Sequence, residues 1–125
     1  MHQKEKGFAS MAIKSLTEGE QLFIVRRRAD LTQKEMAVRM GVSLRRYQNI
    51  ELSKDHLQGG IGELYRFGGE LTDLEKSILT RRRKGMKQPK LAEMMGTSLG
   101  YVKAMECGKE NPKRLIDFWK AQGMT

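Results

Sequence analysis

Long apolar runs are missing from this 125-residue chain. No stretch approaches the roughly 18 consecutive apolar residues that a membrane span requires. The opening Met1-His2-Gln3-Lys4-Glu5-Lys6 is basic but leads into no apolar segment, so no secretory signal is expected. Cysteine occurs once, as Cys107, which excludes an internal disulfide and fits a reducing, cytoplasmic compartment. The two histidines, His2 and His56, are far apart, and with a single cysteine they are too few to build a zinc site. Aromatic residues make up only 6%. The core must therefore come mostly from Leu, Ile, Val, Ala and Met, and nine methionines, with unbranched side chains that fill irregular gaps, suit it. Strand signals are also lacking: the one adjacent β-branched pair, Ile24-Val25, lies inside a helical pattern.

What the chain has in excess is positive charge. Lys and Arg number 24 against 15 Asp and Glu, a net +9, and the pI is near 9.9. Such a balance points to a polyanionic partner. The excess is spread over residues 1–15, 16–51, 71–106 and 107–125, and only 52–70 is net negative.

The chain also repeats itself. Displaced by 55 positions, residues 16–51 align with 71–106 without a gap, at 13 identities in 36 positions. About two or three would arise by chance, so the repeat sets the architecture. Leu16-Thr17, Glu20, Arg26-Arg27-Arg28, Gln33, Ala37, Met40-Gly41, Ser43-Leu44 and Glu51 all recur.

The pattern predicts helices throughout. Thr17-Glu18-Gly19-Glu20, Thr72-Asp73-Leu74-Glu75 and Thr32-Gln33-Lys34-Glu35 each fit a capping box, in which Thr and Glu satisfy each other's backbone N–H groups. The second copy has Lys87-Gln88-Pro89-Lys90 in place of the third box, with proline tolerated in a first turn. Gly41 and Gly96 suit a left-handed helix end, and Ser43 and Ser98 suit the cap of the next helix. Tyr47 and Ile50, and Val102 and Met105, are expected to face inward. A fourth helix is expected near Ile61–Phe67, matched by a better one after Asn111-Pro112 carrying Leu115, Ile116 and Trp119. Packing between the copies through Trp119, Leu64 or Phe67 is compatible with units this small.

A short helix, a glycine-centred turn and a second capped helix, with small Ala37 or Ala92 where the helices touch, are the requirements of a helix-turn-helix. Both copies meet them. Leu31 through Ser43, continued by Tyr47-Gln48-Asn49-Ile50-Glu51, resembles the lambda repressor/Cro-like (XRE-type) helix-turn-helix family, and Met86 through Glu106 is similar but more divergent at its first cap. The resemblance covers residues 16–122 and implies an all-α fold: two tandem lambda-repressor-like helix-turn-helix domains of four to five short helices each. The expected boundaries are a basic arm over 1–15, domains over 16–69 and 70–122, and a frayed end at 123–125. Two domains in one chain depart from the family's usual single domain.

The resemblance also implies roles. Base readout falls to Ser43, Leu44, Arg45, Arg46 and Asn49 in the first copy, and to Ser98, Leu99, Gly100 and Tyr101, with Ala104 nearby, in the second. Phosphate contact falls to Gln33, Lys34, Gln88 and Lys103. Arg26–Glu51 and Arg81–Glu106 are implied structural ion pairs, and each is an opposite-charge pair kept between divergent copies. Arg45 can fork onto guanine O6 and N7, whereas the second copy offers a small, partly apolar face, so the first copy is expected to dominate base readout. The other basic residues of the arginine runs are expected on solvated faces, Tyr47 and Met36, Met40, Met94, Met95 and Met105 in the core with Met94 partly exposed, and Trp119 as a packing anchor or a homodimer contact.

The function these features imply is a sequence-specific, double-stranded DNA-binding transcriptional regulator. A repressor of phage or mobile-element type would occlude operator DNA in this way. The alternative is an interaction protein (antiactivator, antirepressor or antitoxin) using the same scaffold on a protein partner. No catalytic constellation, metal-ligand set, cofactor motif or small-molecule effector pocket is legible, so enzymatic activity is not expected.

Overall fold

The computed structural model describes residues 16–57 and 70–124. The expected basic arm over 1–15 and the expected helix near Ile61–Phe67 lie outside the described residues, as do Leu64 and Phe67. Among the described residues the chain is all-helical, with seven helices and no strand. None of these helices is long and apolar enough to cross a membrane. The described residues fall into two compact units, 16–57 with Glu70, and 71–124.

The first unit holds α1 (Glu18–Arg28), α2 (Gln33–Met40) and α3 (Leu44–Glu51). Complete capping boxes open α1 and α2, with Thr17 and Glu20, and Thr32 and Glu35, exchanging hydrogen bonds of 2.8–3.0 Å. The hydrogen bond that the Glu35 carboxylate accepts from the Thr32 backbone N–H, with a further contribution from the Thr32 side chain, outweighs desolvation and holds that carboxyl below its ordinary range. α2 ends at Gly41, whose φ of +72° is left-handed and cheap only for glycine. Ser43 then caps α3 by accepting from the Arg46 N–H at 3.1 Å. α3 packs on both α1 and α2 around Leu22, Met36, Ala37, Tyr47 and Ile50, all at most 2% exposed. Burial of each large member contributes about 1.5–3 kcal/mol.

Gly19 sets how closely α1 approaches α3. A Cβ there would lie 2.3 Å from the Ile50 carbonyl oxygen and 2.6 Å from that of Glu51. The second unit has Leu74 at the corresponding position, packed against its own core.

The second unit holds α4 (Asp73–Arg83), α5 (Gln88–Met95), α6 (Leu99–Glu106) and α7 (Lys113–Ala121). Thr72 and Glu75 form the capping box of α4, whereas Lys87 gives α5 no side-chain cap. Gly96 (φ +68°) and Ser98 repeat the turn and cap of the first unit. α7 packs on α4, and Leu115 and Trp119 join Leu91, Ala92, Val102 and Met105 in the core.

The frayed end expected over 123–125 is corrected at Met124. That side chain is 5% exposed and belongs to the core, and Ser77 Oγ lies 3.7 Å from its sulfur. Gly123, with φ +107°, turns the chain back after α7, and the Met124 N–H donates to the Trp119 carbonyl at 3.0 Å. This left-handed helix end folds the following apolar residue onto its own helix.

Candidate nucleic-acid interface

In each unit a buried glutamate at the end of a helix organises the surroundings. Arg26 Nε donates to Glu51 Oε2 at 2.7 Å and Nη2 to Oε1 at 3.4 Å, while Nη1 donates to the Leu31 carbonyl at 3.0 Å. Gln33 Nε2 donates to Glu51 Oε1 at 3.0 Å, and the Tyr47 hydroxyl donates to Oε2. One carboxylate thus ties all three helices together. Burial opposes the Arg26 charge, but the hydrogen bond and charge of Glu51 outweigh it and hold the guanidinium above its ordinary value. Burial, reinforced by Glu51, likewise raises the Tyr47 phenol well beyond the usual tyrosine range.

The second unit repeats the arrangement. Arg81 meets Glu106 at 2.7 and 3.0 Å and the Met86 carbonyl at 2.8 Å, and Gln88 Nε2 donates to Glu106 Oε1 at 2.8 Å. Val102 stands where the first unit has Tyr47, so this position offers the carboxylate a methyl group in place of a phenol. A charge buried without partners is expensive, and these hydrogen bonds are what make it tolerable.

Gln33 and Gln88, expected at phosphate, thus each spend one amide N–H on the neighbouring glutamate. Gln33 is fixed further by accepting from Gln48 Nε2 at 3.1 Å. Neither sequence spacing nor periodicity indicated this inward bond. A glutamine opening a helix looks the same whether its amide meets solvent or a carboxylate.

α3 is buried on one side and open on the other. Tyr47 and Ile50 are 0% and 1% exposed, whereas Ser43, Leu44, Arg45 and Arg46 are all exposed and Asn49 is half-buried. Lys34, at the start of α2, is exposed. The two neighbouring arginines differ in their surroundings. The Arg45 side chain takes part in none of the hydrogen bonds or ion pairs among the described residues. Arg46 folds along its own unit instead: Nε lies 3.3 Å from Asp55 Oδ2, and Nη2 donates to the His56 carbonyl at 3.2 Å. The structure thus gives the Arg46 guanidinium partners within its own unit. Asp55 lies in the segment after α3, where sequence reading assigned no role.

On α6, Ser98, Gly100 and Lys103 are exposed, and Leu99, Tyr101 and Ala104 are half-buried. Tyr101 is partly covered by Arg114, whose guanidinium carbon is 5.9 Å from the ring centroid and whose Nη2 donates to the Met95 carbonyl at 3.0 Å. Cys107, just beyond α6, is exposed. Among the described residues no group of His, Cys, Asp and Glu is placed to hold a metal ion.

Comparison with protein-family models, curated proteins and solved structures found no match. The functional reading therefore rests on local geometry.

Proposed function

We propose that the chain is a sequence-specific, double-stranded DNA-binding regulator of transcription, acting as a repressor, built from two tandem helix-turn-helix domains of the lambda repressor/Cro-like type. The observation that carries this reading is the construction of α3. Its back is locked by Tyr47, Ile50 and the Glu51 network, its start is capped by Ser43 after a left-handed Gly41, and its open face carries exposed Arg45. A rigid, capped helix with a cationic fork near its N-terminal end suits the major groove, where Arg pairs with guanine O6 and N7. α5 and α6 repeat the scaffold but present Gly100 and Lys103 in place of the fork, which suits backbone contact and a thymine methyl more than guanine. Repression follows from occupancy, since a protein on promoter DNA excludes the polymerase.

The test is selection from a random duplex library followed by footprinting of the enriched sequence. Enrichment of a motif containing a guanine is expected, with Arg45→Ala reducing discrimination at that guanine by about 1–3 kcal/mol. Absence of any enriched duplex would remove the reading. A second reading, docking on a protein, is favoured by one observation. Val38, on the outer face of α2, is 72% exposed beside a shallow depression of about 310 Å³ lined by Lys34, Glu35 and Arg39. Retention on protein but not on duplex DNA would select it.

A further inference from the structure

Two arginines side by side at the start of a reading helix would both attract phosphate, and phosphate attraction carries no sequence information. Here one of them is occupied within the unit. Arg46 is gripped at two points, by Asp55 Oδ2 at 3.3 Å and by the His56 carbonyl at 3.2 Å. The acceptor pair is itself fixed, because the other Asp55 oxygen accepts from the His56 N–H at 2.7 Å. Asp55 therefore cannot swing away without giving up two hydrogen bonds. The second unit has no equivalent: Tyr101 stands at the position of Arg46 and Glu110 at that of Asp55.

Specificity is a difference between two affinities, and lowering the sequence-neutral one raises it. We propose that Asp55, with the His56 carbonyl, withholds Arg46 from DNA, so that the start of α3 meets base edges with Arg45 as its one available guanidinium and Asp55 is a specificity-determining residue. The inference rests on the DNA-binding reading above. It assigns Arg46 to bracing the segment after α3 and assigns Asp55 to suppressing indiscriminate binding.

The experiment uses the full chain and equilibrium binding to an enriched duplex and to a random-sequence duplex over a series of salt concentrations. Four proteins are compared: the wild type, Asp55→Asn, the double variant Asp55→Asn/Arg46→Gln, and Glu110→Gln, which removes the same charge at the corresponding position of the second unit. Asp55 is 41% exposed at its side chain, so the amide is tolerated in the fold. Asp55→Asn is expected to tighten binding to random duplex by up to about fivefold, the full worth of an exposed ion pair. It is also expected to steepen the log–log salt slope by about 0.9, one additional phosphate contact. Discrimination between the two duplexes falls accordingly. The double variant returns affinity and slope to wild type, and Glu110→Gln leaves the slope unchanged. The proposal is overturned if Asp55→Asn keeps the wild-type slope. It is equally overturned if the double variant has a shallower slope than wild type, since Arg46 would then already sit on phosphate. A wild type that no duplex retains at any salt concentration would defeat the DNA-binding reading itself, a separate and recognisable failure.

Discussion

Glu51 shows how much one side chain can carry. Its carboxylate accepts from Arg26, Gln33 and Tyr47, and its side chain is 1% exposed. Removing one donor leaves the charge buried with fewer partners, so Tyr47→Phe is expected to cost about 1.5–3 kcal/mol, read by chemical denaturation with far-UV circular dichroism. The same variant tests a pH dependence. The folded-state phenol is raised above its ordinary 10.0, so its stabilisation is complete below that value and declines as pH rises and tyrosine ionises in the unfolded chain. Wild type should lose stability above pH 10.0, and Tyr47→Phe should lose less over the same window. Gly19 acts through what it omits. Gly19→Ala places a Cβ against two carbonyl oxygens of α3 and forces α1 outward, at a cost of about 3 kcal/mol, the upper end for overpacking. An unchanged denaturation midpoint would show that α1 can shift freely.

At the scale of elements, the helices begin and end where local chemistry directs. Thr17, Thr32 and Thr72 form the three capping boxes legible in the sequence, because that motif is local and its partners are three residues apart. α5 lacks a side-chain cap, which makes it the one helix of the two matched helix pairs open to simple improvement. Lys87→Thr should stabilise the second unit by about 0.5–1 kcal/mol, observed as a higher denaturant midpoint with unchanged slope. The helix pairings were legible for a different reason. Charge pairs such as Arg26–Glu51 and Arg81–Glu106 survive in both copies at the same offset, so the repeat acts as a comparison within one chain. Features present in one copy alone left no such trace. The close approach at Gly19, the Arg46–Asp55 contact and the burial of Met124 each depend on where backbone and side chains meet in space. A glycine in a helix, an aspartate in a loop and a methionine near a terminus look ordinary in one dimension.

At the scale of the whole molecule, charge dominates. If the chain binds duplex DNA as proposed, a net +9 on 125 residues predicts affinity that weakens steeply with salt. If about six phosphates are contacted, log affinity should fall against log salt with a slope near −5. Isothermal titrations or filter binding between about 50 and 200 mM salt would measure it. A slope near zero would mean that the basic surface serves some other purpose.

Trp119 is the chain's one tryptophan, 1% exposed in the second unit, edge-on to Phe118 at 5.2 Å and, among the described residues, without a hydrogen-bond partner for its Nε1. Excited selectively near the red edge of protein absorption, its emission reports the packing of the core it belongs to. Loosening of that core becomes optically visible without any label being attached.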